Sequence, residues 1–518
     1  MTEQSDVNSA SRQLDGEGPW ATLAGGDAEM RPPFGCESEA ERASRLGWLS
    51  FLGPSLATAT GEWRRVHFVG VGGVGQNAIA RVLLEAGCPV SGSDLTESAA
   101  TRDLERLGAR VGIGHRAEQV EGAGLVVVSS AVPSGNPEVA RATELGIRVV
   151  KRAEFLGELT RVRRAICVAG THGKTTTSAL VALALVAGGL DPTVLVGGLV
   201  PALGSGGRFG RGAYLVAEAD EFDGSFLRFT PGIAVVTNVE TDHLDFYPDM
   251  AAIVAAFRSF AARVPADGHL VACWDDPVAR AIGASCSGTT VTYGLLGGDW
   301  QAANIRPNDL GGNDFVAAMD GTVVGAFRLA VPGRHNVANA LAALAVAHIC
   351  GVEPSIVGEA FARFGGVQRR FELKGTVGGV AVYDDYAHHP TEIVATLRAA
   401  RERHRGRLWC VFQPHTVNRT KALFEQFAAA FADADRVLVA DIYVPAGREA
   451  VTGGVTSADL VRAMRHPGAE HVGRLEAVVD RLAAEVRQGD LVLTMGAGDV
   501  HRVGEALLER LKEESCPT

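Results

Sequence analysis

The chain has 518 residues and a net charge of −11, from 49 basic and 60 acidic side chains, and 47% of its residues are hydrophobic. That length and apolar share support several domains with substantial cores, and the acidic balance argues against a general nucleic-acid binder. The longest apolar run, Ala179 to Leu190, is shorter than the ~20 residues of a membrane span, so no membrane partner is expected.

Eight cysteines (Cys36, Cys88, Cys167, Cys273, Cys286, Cys350, Cys410 and Cys516) are scattered without a CxxC pair. They read as small core residues of a protein in a reducing cytoplasm, not as a disulfide framework or zinc site. The first residues show no basic and apolar secretory pattern, so a cytoplasmic location is expected.

Residues 1–62 are rich in Gly, Ser, Ala and acidic residues and have no sustained period; they are expected to form a mostly disordered extension. One short apolar patch, Leu46 to Leu52, interrupts it. From Arg65 onward, apolar strands alternate with helical patterns, the rhythm of βαβ units on parallel sheets. Strands are expected near Arg65–Val69, Val90–Ser93, Leu125–Ser129 and Ile147–Val150, then at Ala165–Ala169, Ala213–Ala217 and Ile233–Thr237. A Gly-rich region of short strands spans about 289–330, and a helix follows from Asn336 to Cys350. After a linker at Phe364-Gly365-Gly366-Val367, strands return at Gly379–Tyr383, Leu408–Phe412, Arg436–Val439 and Leu491–Thr494. The expectation is an α/β protein of three domains, over residues 63–160, 161–366 and 367–518.

The first glycine cluster, Gly70-Val71-Gly72-Gly73-Val74-Gly75, lies between a strand and a helix, and Asp94 ends the next strand. This is the pattern of a dinucleotide-binding turn with its ribose-binding acid. Its physics is broader, because a glycine turn at a helix N-terminus accepts any diphosphate; NAD, FAD and a UDP-sugar all fit.

A second cluster, Gly170-Thr171-His172-Gly173-Lys174-Thr175-Thr176-Thr177, follows the β-type run Ala165–Ala169 and opens an apolar helical segment, Ser178 to Val186. It is a shortened P-loop, with Val168 where the full pattern has glycine. Its backbone amides can cradle phosphate, Lys174 adds a mobile positive charge, and the Thr175 hydroxyl can hold Mg²⁺. Two acidic segments follow strand ends: Glu218-Ala219-Asp220-Glu221-Phe222-Asp223, and Thr237-Asn238-Val239-Glu240-Thr241-Asp242-His243-Leu244-Asp245. Crowded carboxylates at a strand end are costly unless a cation joins them, and the P-loop makes Mg²⁺ the expected cation. Further on, Gly333-Arg334-His335-Asn336 with Asn339 can present amides to a base. Gln368-Arg369-Arg370-Phe371 places an Arg just past the linker. Asp384-Asp385-Tyr386-Ala387-His388-His389-Pro390 joins a strand to a helix that Pro390 can start.

In this order the GTHGKTTT, AEADEFD, TNVETDHLD, GRHN, RRF, DDYAHHPTE, FQPH and MGAGD segments resemble those of the Mur ligases, nearest to the branch that adds alanine to UDP-N-acetylmuramate. The resemblance runs from about Arg64 to Leu511. It implies a Rossmann-like UDP-binding domain, a central P-loop ATPase and a Rossmann-like amino-acid-binding domain, acting on ATP with Mg²⁺. It also implies roles for individual residues. Gly72, Gly73, Gly75, Asp94 and Ser130 would bind the UDP-sugar. Gly170, Thr171, Gly173, Lys174, Thr175 and Thr176 would bind phosphates, and Thr175, Glu218 and His243 would ligate Mg²⁺. His335, Asn336 and Asn339 would meet the adenine, Asp385 the ribose and Arg370 the γ-phosphate. His388 and Arg419 would face the amino acid, with Lys174, Glu218, His243, Arg370 and His388 forming the catalytic set. The expected partners are a UDP-sugar carboxylate and a small amino acid, with no nucleic acid or membrane, and the expected assembly is a monomer or homodimer.

Two departures stand out. Gln76-Asn77-Ala78 occupies the place where this branch usually has Met-Ser-Gly, and Thr416 stands where many members have Arg. The first raises the expectation of an altered donor, the second of altered amino-acid selection, as in a paralogous ligase.

Overall fold

The structure is a computed structural model that describes residues 64–129, 132–133, 135–445 and 454–515. The extension expected over residues 1–62 and the expected UDP-sugar contact Ser130 both lie outside the described residues. Three sheets follow one another along the chain.

The first sheet contains β1 (Arg65–Val69), β2 (Val90–Asp94), β3 (Arg110–Ile113), β4 (Ala123–Val128) and β5 (Arg148–Lys151). Its spatial order is β3-β2-β1-β4-β5 and every pairing is parallel. The winding direction reverses beside β1, so the crevice past its C-terminal end is a topological switch point, where open α/β sheets take ligands. Gly70 to Gly75 fill that position.

The central sheet contains β6 (Arg164–Ala169), β7 (Thr193–Val200), β8 (Ser205–Arg208), β9 (Tyr214–Glu218), β10 (Ile233–Val236), β11 (His269–Cys273), β12 (Thr289–Gly294), β13 (Trp300–Pro307), β14 (Asn313–Met319) and β15 (Thr322–Leu329). Its order is β15-β14-β13-β12-β11-β10-β6-β9-β7-β8. Strand β6 therefore lies between β9 and β10, parallel to both. The P-loop, the first acidic segment and the Thr237–Asp245 segment leave these three strands at the same edge, although they lie far apart in sequence. β6 and β10 are almost wholly buried, which accounts for their unbroken apolar runs.

The helix Lys174–Ala187 begins inside the phosphate loop, four residues before the apolar segment that announces it, with Gly173 as its N-cap. Every residue from Thr175 to Leu185 is buried, as expected for a helix apolar on all sides. It packs against the helix Arg334–Ile349 on one face of the sheet.

The third sheet contains β16 (Glu372–Val377), β17 (Val380–Asp385), β18 (Leu408–Phe412), β19 (Arg436–Ala440), β20 (Ala469–Gly473) and β21 (Leu491–Met495), in the order β16-β17-β21-β18-β19-β20. Only β16 is antiparallel to its neighbour. Two apolar clusters fill the layers around it, one containing Phe412 and Phe427, the other Trp409 and Leu482.

The first domain is fastened to the edge of the central sheet. The helix Val74–Glu85 packs on β7 and β8, and Glu85 accepts the backbone N–H of Phe209 at 2.8 Å. At Gly207 the chains approach so closely that a Cβ would stand 2.2 Å from the Ala78 carbonyl oxygen. Backbone cannot yield there as a side chain can, so Gly207→Ala is expected to cost ~1–3 kcal/mol, the usual penalty for overpacking. Thermal unfolding should show a lowered midpoint; an unchanged one would contradict this packing.

Candidate active site

The phosphate loop is held by its neighbour at the end of β10. Asn238 accepts the N–H of Thr171 through its carbonyl at 3.0 Å and that of His172 through its side-chain oxygen at 2.8 Å. Thr237 donates its hydroxyl to the His172 carbonyl at 2.6 Å. Gly173 has φ of +80°, and a Cβ there would lie 2.7 Å from the Asn339 side-chain oxygen. Glycine is therefore required twice over, by conformation and by space. Lys174 Nζ donates to the Gly170 carbonyl at 2.7 Å and to Glu221 Oε2 at 2.8 Å. Burial works against its charge, but Glu221, Asp220 and Glu218 outweigh it and raise its pKa.

The three residues expected to ligate Mg²⁺ divide into two neighbouring groups. Thr175 donates its hydroxyl to Glu218 Oε1 at 3.1 Å, while Glu218 Oε2 accepts the Gly197 N–H at 2.8 Å. His243, in the left-handed region at φ +53°, joins Asp220 and Glu221, and these three bring ligand atoms within 4.8 Å of one another. Glu221 Oε1 is buried without a hydrogen-bond partner and lies 3.8 Å from His243 Nε2. Burial raises the Glu221 pKa, with Lys174 opposing it. An orphaned carboxylate oxygen grouped with a second carboxylate on Asp220 suits a hard divalent cation.

Three cavities open along these strand ends. One of about 410 Å³ is lined by Gly173, Thr176, His335, Asn336, Asn339, Arg370 and Asp385 among others. Burial pushes His335 down to about 4, so it is neutral. Asn336 donates to the Pro332 carbonyl at 2.7 Å and accepts from Asn339 at 3.1 Å. Asp385 accepts the N–H groups of Phe371 and Ala387, each at 2.7 Å, and burial lifts its pKa to about 6.

A second cavity of about 440 Å³ runs from Val74 and Gly75 past Lys174, Thr175 and Glu218 to Arg370 and His388. It shares Gly173, Arg370 and Glu392 with the first cavity. Both consecutive arginines line this cavity, but they are held differently. Arg369 is tied to Asp384 at 3.0 Å and to the Gly496 carbonyl at 2.8 Å. Arg370 lines both cavities, with the Tyr386 ring 5.2 Å from its guanidinium.

A third cavity of about 220 Å³ lies among Asp242, His243, Tyr386, His388, His415, Thr416 and Arg419, the first four of which also line the second. Arg419 grips Asp242 at 2.9 Å through Nε and through Nη2. Burial disfavours the Asp242 charge, yet Arg419 and then His243 hold its pKa well below the usual carboxylate range. Burial pushes His388 down to about 3, leaving it neutral, with Nδ1 3.0 Å from the Tyr386 carbonyl oxygen.

The unusual residues of the first domain are largely occupied by packing. Asn77 donates to the Ala100 carbonyl at 3.0 Å, and Gln76 is buried; only Ala78 lines the second cavity. Asp94 accepts the Gly72 N–H at 2.8 Å, so it braces the glycine turn from within. Thr416 caps the helix Val417–Ala422 by accepting the Arg419 N–H at 3.4 Å.

Four residues carry more of the geometry than sequence reasoning assigns them: His172, Glu221, Asn238 and Glu392. All stand inside the segments singled out by pattern, but their partners lie on other strands. His172 Nδ1 is 3.3 Å from Glu392 Oε1, its Nε2 is 3.6 Å from Glu240 Oε2, and its ring is 4.6 Å from that of His389. Burial opposes the imidazolium, but Glu240 and Glu392 prevail and lift its pKa from 6.5 to about 9. A pKa raised on folding contributes stability that is full below pH 6.5 and is lost as pH rises through about 9. The melting midpoint of wild type should therefore exceed that of His172→Gln most at about pH 6, and the gap should close toward pH 9. A gap independent of pH would contradict the charged pairing.

Comparison with known proteins follows the same three blocks. Residues 65–164 match the Mur ligase family catalytic domain, residues 168–347 the Mur ligase middle domain, and residues 369–498 the Mur ligase glutamate ligase domain. The UDP-N-acetylmuramate–L-alanine ligase of Geotalea daltonii is 47% identical over 456 residues, covering 88% of this chain and 99% of that protein. The protein of the same name from Caldanaerobacter subterraneus is 44% identical over 456 residues, covering 87% and 99%. Among solved structures, UDP-N-acetylmuramate–alanine ligase from Thermotoga maritima aligns with a TM-score of 0.73 at 29% identity, over 87% of this chain and all of that one. A murein peptide ligase from Psychrobacter arcticus aligns with a TM-score of 0.67 at 26% identity, over 86% and 98%. Three consecutive domain matches, with full-length relatives sharing nearly half their residues, make this chain a member of the Mur ligase family.

Proposed function

We propose that the chain joins L-alanine to the carboxylate of UDP-N-acetylmuramate at the expense of ATP, a step of peptidoglycan precursor synthesis. One observation carries this reading: the three cavities stand in series. The first two meet at Gly173, Arg370 and Glu392, and the last two at Asp242, His243, Tyr386 and His388. Such an order suits a nucleotide, an acid and an amine that react in that sequence. The full-length relatives described above carry the same activity in their names.

A carboxylate is a poor electrophile until an oxygen is converted into a leaving group. In the proposed reaction a carboxylate oxygen of the donor attacks the γ-phosphorus, the bond to ADP breaks, and an acyl phosphate forms. The amine of alanine then attacks the acyl carbon, and phosphate departs with the original carboxylate oxygen. Charge neutralisation and positioning account for most of such catalysis. Lys174 and the loop amides would bind phosphate oxygens, and Arg370 would reach the transferring group from the shared wall. Thr175 and Glu218, with His243, Asp220 and Glu221 beside them, would hold Mg²⁺. When bound, that ion supplies positive charge to the phosphate oxygens.

In the third cavity the neutral His388 sets no like charge against an incoming ammonium, and the burial that holds its pKa at about 3 makes it a contact for the amine, not a base. Asp242 offers a counter-charge while Arg419 suits the carboxylate end. About 220 Å³ is room for a small amino acid. Among the described residues, no helix is long and apolar enough to cross a membrane, and we take the site of action to be the cytoplasm.

Phosphate release should be stimulated by UDP-N-acetylmuramate together with L-alanine, and more weakly by larger amino acids. Absence of stimulation by that donor across an amino-acid panel would overturn the reading. Lys174→Ala should lower kcat by ~10²–10³, the loss typical of removing one transition-state donor; near-wild-type turnover would remove this loop from the mechanism.

A further inference from the structure

Glu392 belongs to the helix Pro390–Arg403, and its two carboxylate oxygens do different things. Oε2 accepts the backbone N–H groups of His388 at 3.0 Å and His389 at 3.3 Å. That is the reciprocal half of a capping box, with His389 as N-cap and Pro390 as the first helical residue. A cap needs only that one oxygen. Oε1 faces the other way, 3.3 Å from His172 Nδ1 on the phosphate loop and 3.6 Å from Arg370 Nη1. The side chain also forms part of the wall between the first and second cavities.

We propose that Glu392 is a positioning residue for phosphoryl transfer: it fixes Arg370 against the phosphate loop through His172 while its other oxygen anchors the segment bearing His388. The inference rests on the ligase reading given above. One carboxylate thereby ties the loop of the central domain, the arginine past the linker and the helix start of the C-terminal domain to a common point. Its charge is well supported: burial disfavours it, but the charged His172 and Arg370 hold its pKa well below the ordinary glutamate value. An arginine left without this anchor has many rotamers to sample, and misplacement by about 1 Å can cost ~10²-fold in rate. Such an effect falls on the transition state more than on ground-state binding, so it appears in kcat more than in KM.

Glu392→Gln separates the two roles, because the amide keeps one oxygen for the cap and replaces the other with a donor. We expect kcat to fall ~10–10²-fold while KM for ATP moves less than about threefold. In the Arg370→Lys background the same substitution should cost much less, since residues acting as a unit do not lose activity additively. A kcat within about twofold of wild type, or losses that simply multiply, would overturn the inference. If Glu392→Gln fails to fold, His172→Ala leaves the cap intact. It should lower kcat ~10-fold, and His172→Asn, which keeps a donor near the Nδ1 position, should restore most of it. Unchanged turnover in His172→Ala would also overturn the proposal. A wild-type protein inactive with UDP-N-acetylmuramate and every amino acid would instead reject the ligase reading, and the inference with it.

Discussion

The structure depends on how charge is kept in balance where the strand ends of the central sheet face the C-terminal domain. Lys174 is held against the buried Glu221 and the Gly170 carbonyl, and removing one partner of such a pair would leave the other charged and uncompensated. Around that pair Asp220 lies 3.9 Å from Lys174, Glu218 accepts from Thr175, Asp242 is gripped by Arg419, and Glu392 faces His172. No member can move alone at low cost. Phosphate oxygens and a divalent cation would fit this arrangement by exchanging one matched set of charges for another: phosphate would take the lysine, and the metal the acids.

The order of strands in the central sheet produces this concentration. With β6 between β9 and β10, the phosphate loop, the first acidic segment and the segment carrying Asp242 and His243 leave one edge together. The third sheet contributes in the same way, since β17, β21 and β18 are adjacent and their ends carry Asp385, the Gly496 turn and the approach to His415. Two parallel-sheet edges thus face each other, and the candidate catalytic groups lie between them. Chemistry that needs little covalent help from protein is well served by such a cleft, because orientation and fixed charge supply most of the rate.

Much of this was legible from sequence, for a physical reason. The glycine turns, the P-loop and the acidic segments are contiguous, and each follows an apolar strand whose burial on both faces leaves little choice of structure. The start of the helix at Pro390 was legible for the same reason, as a local matter of proline and N-cap chemistry. What sequence could not supply was pairing across the fold. Lys174 with Glu221, Arg419 with Asp242, and His172 with Glu392 join residues from different strands, and no local pattern encodes their distances. Nor could it distinguish Arg369 from Arg370, which are neighbours in the chain, yet Arg369 is locked to Asp384 and only Arg370 lines both of the first two cavities. Gln76 and Asn77 suggested an altered donor, an alternative that the full-length relatives do not favour; Asn77 bonds to Ala100, while Gln76 is buried with its amide unpartnered.

The central claim is that the groups between these edges activate a carboxylate by moving phosphate onto it. The most direct test follows an oxygen atom. With UDP-N-acetylmuramate labelled with ¹⁸O in its carboxylate, ATP, Mg²⁺ and L-alanine, the released phosphate can be examined by ³¹P NMR. The account predicts one ¹⁸O atom in each phosphate, transferred from the donor through the acyl phosphate. Phosphate released in step with amide formation but carrying no label would contradict it.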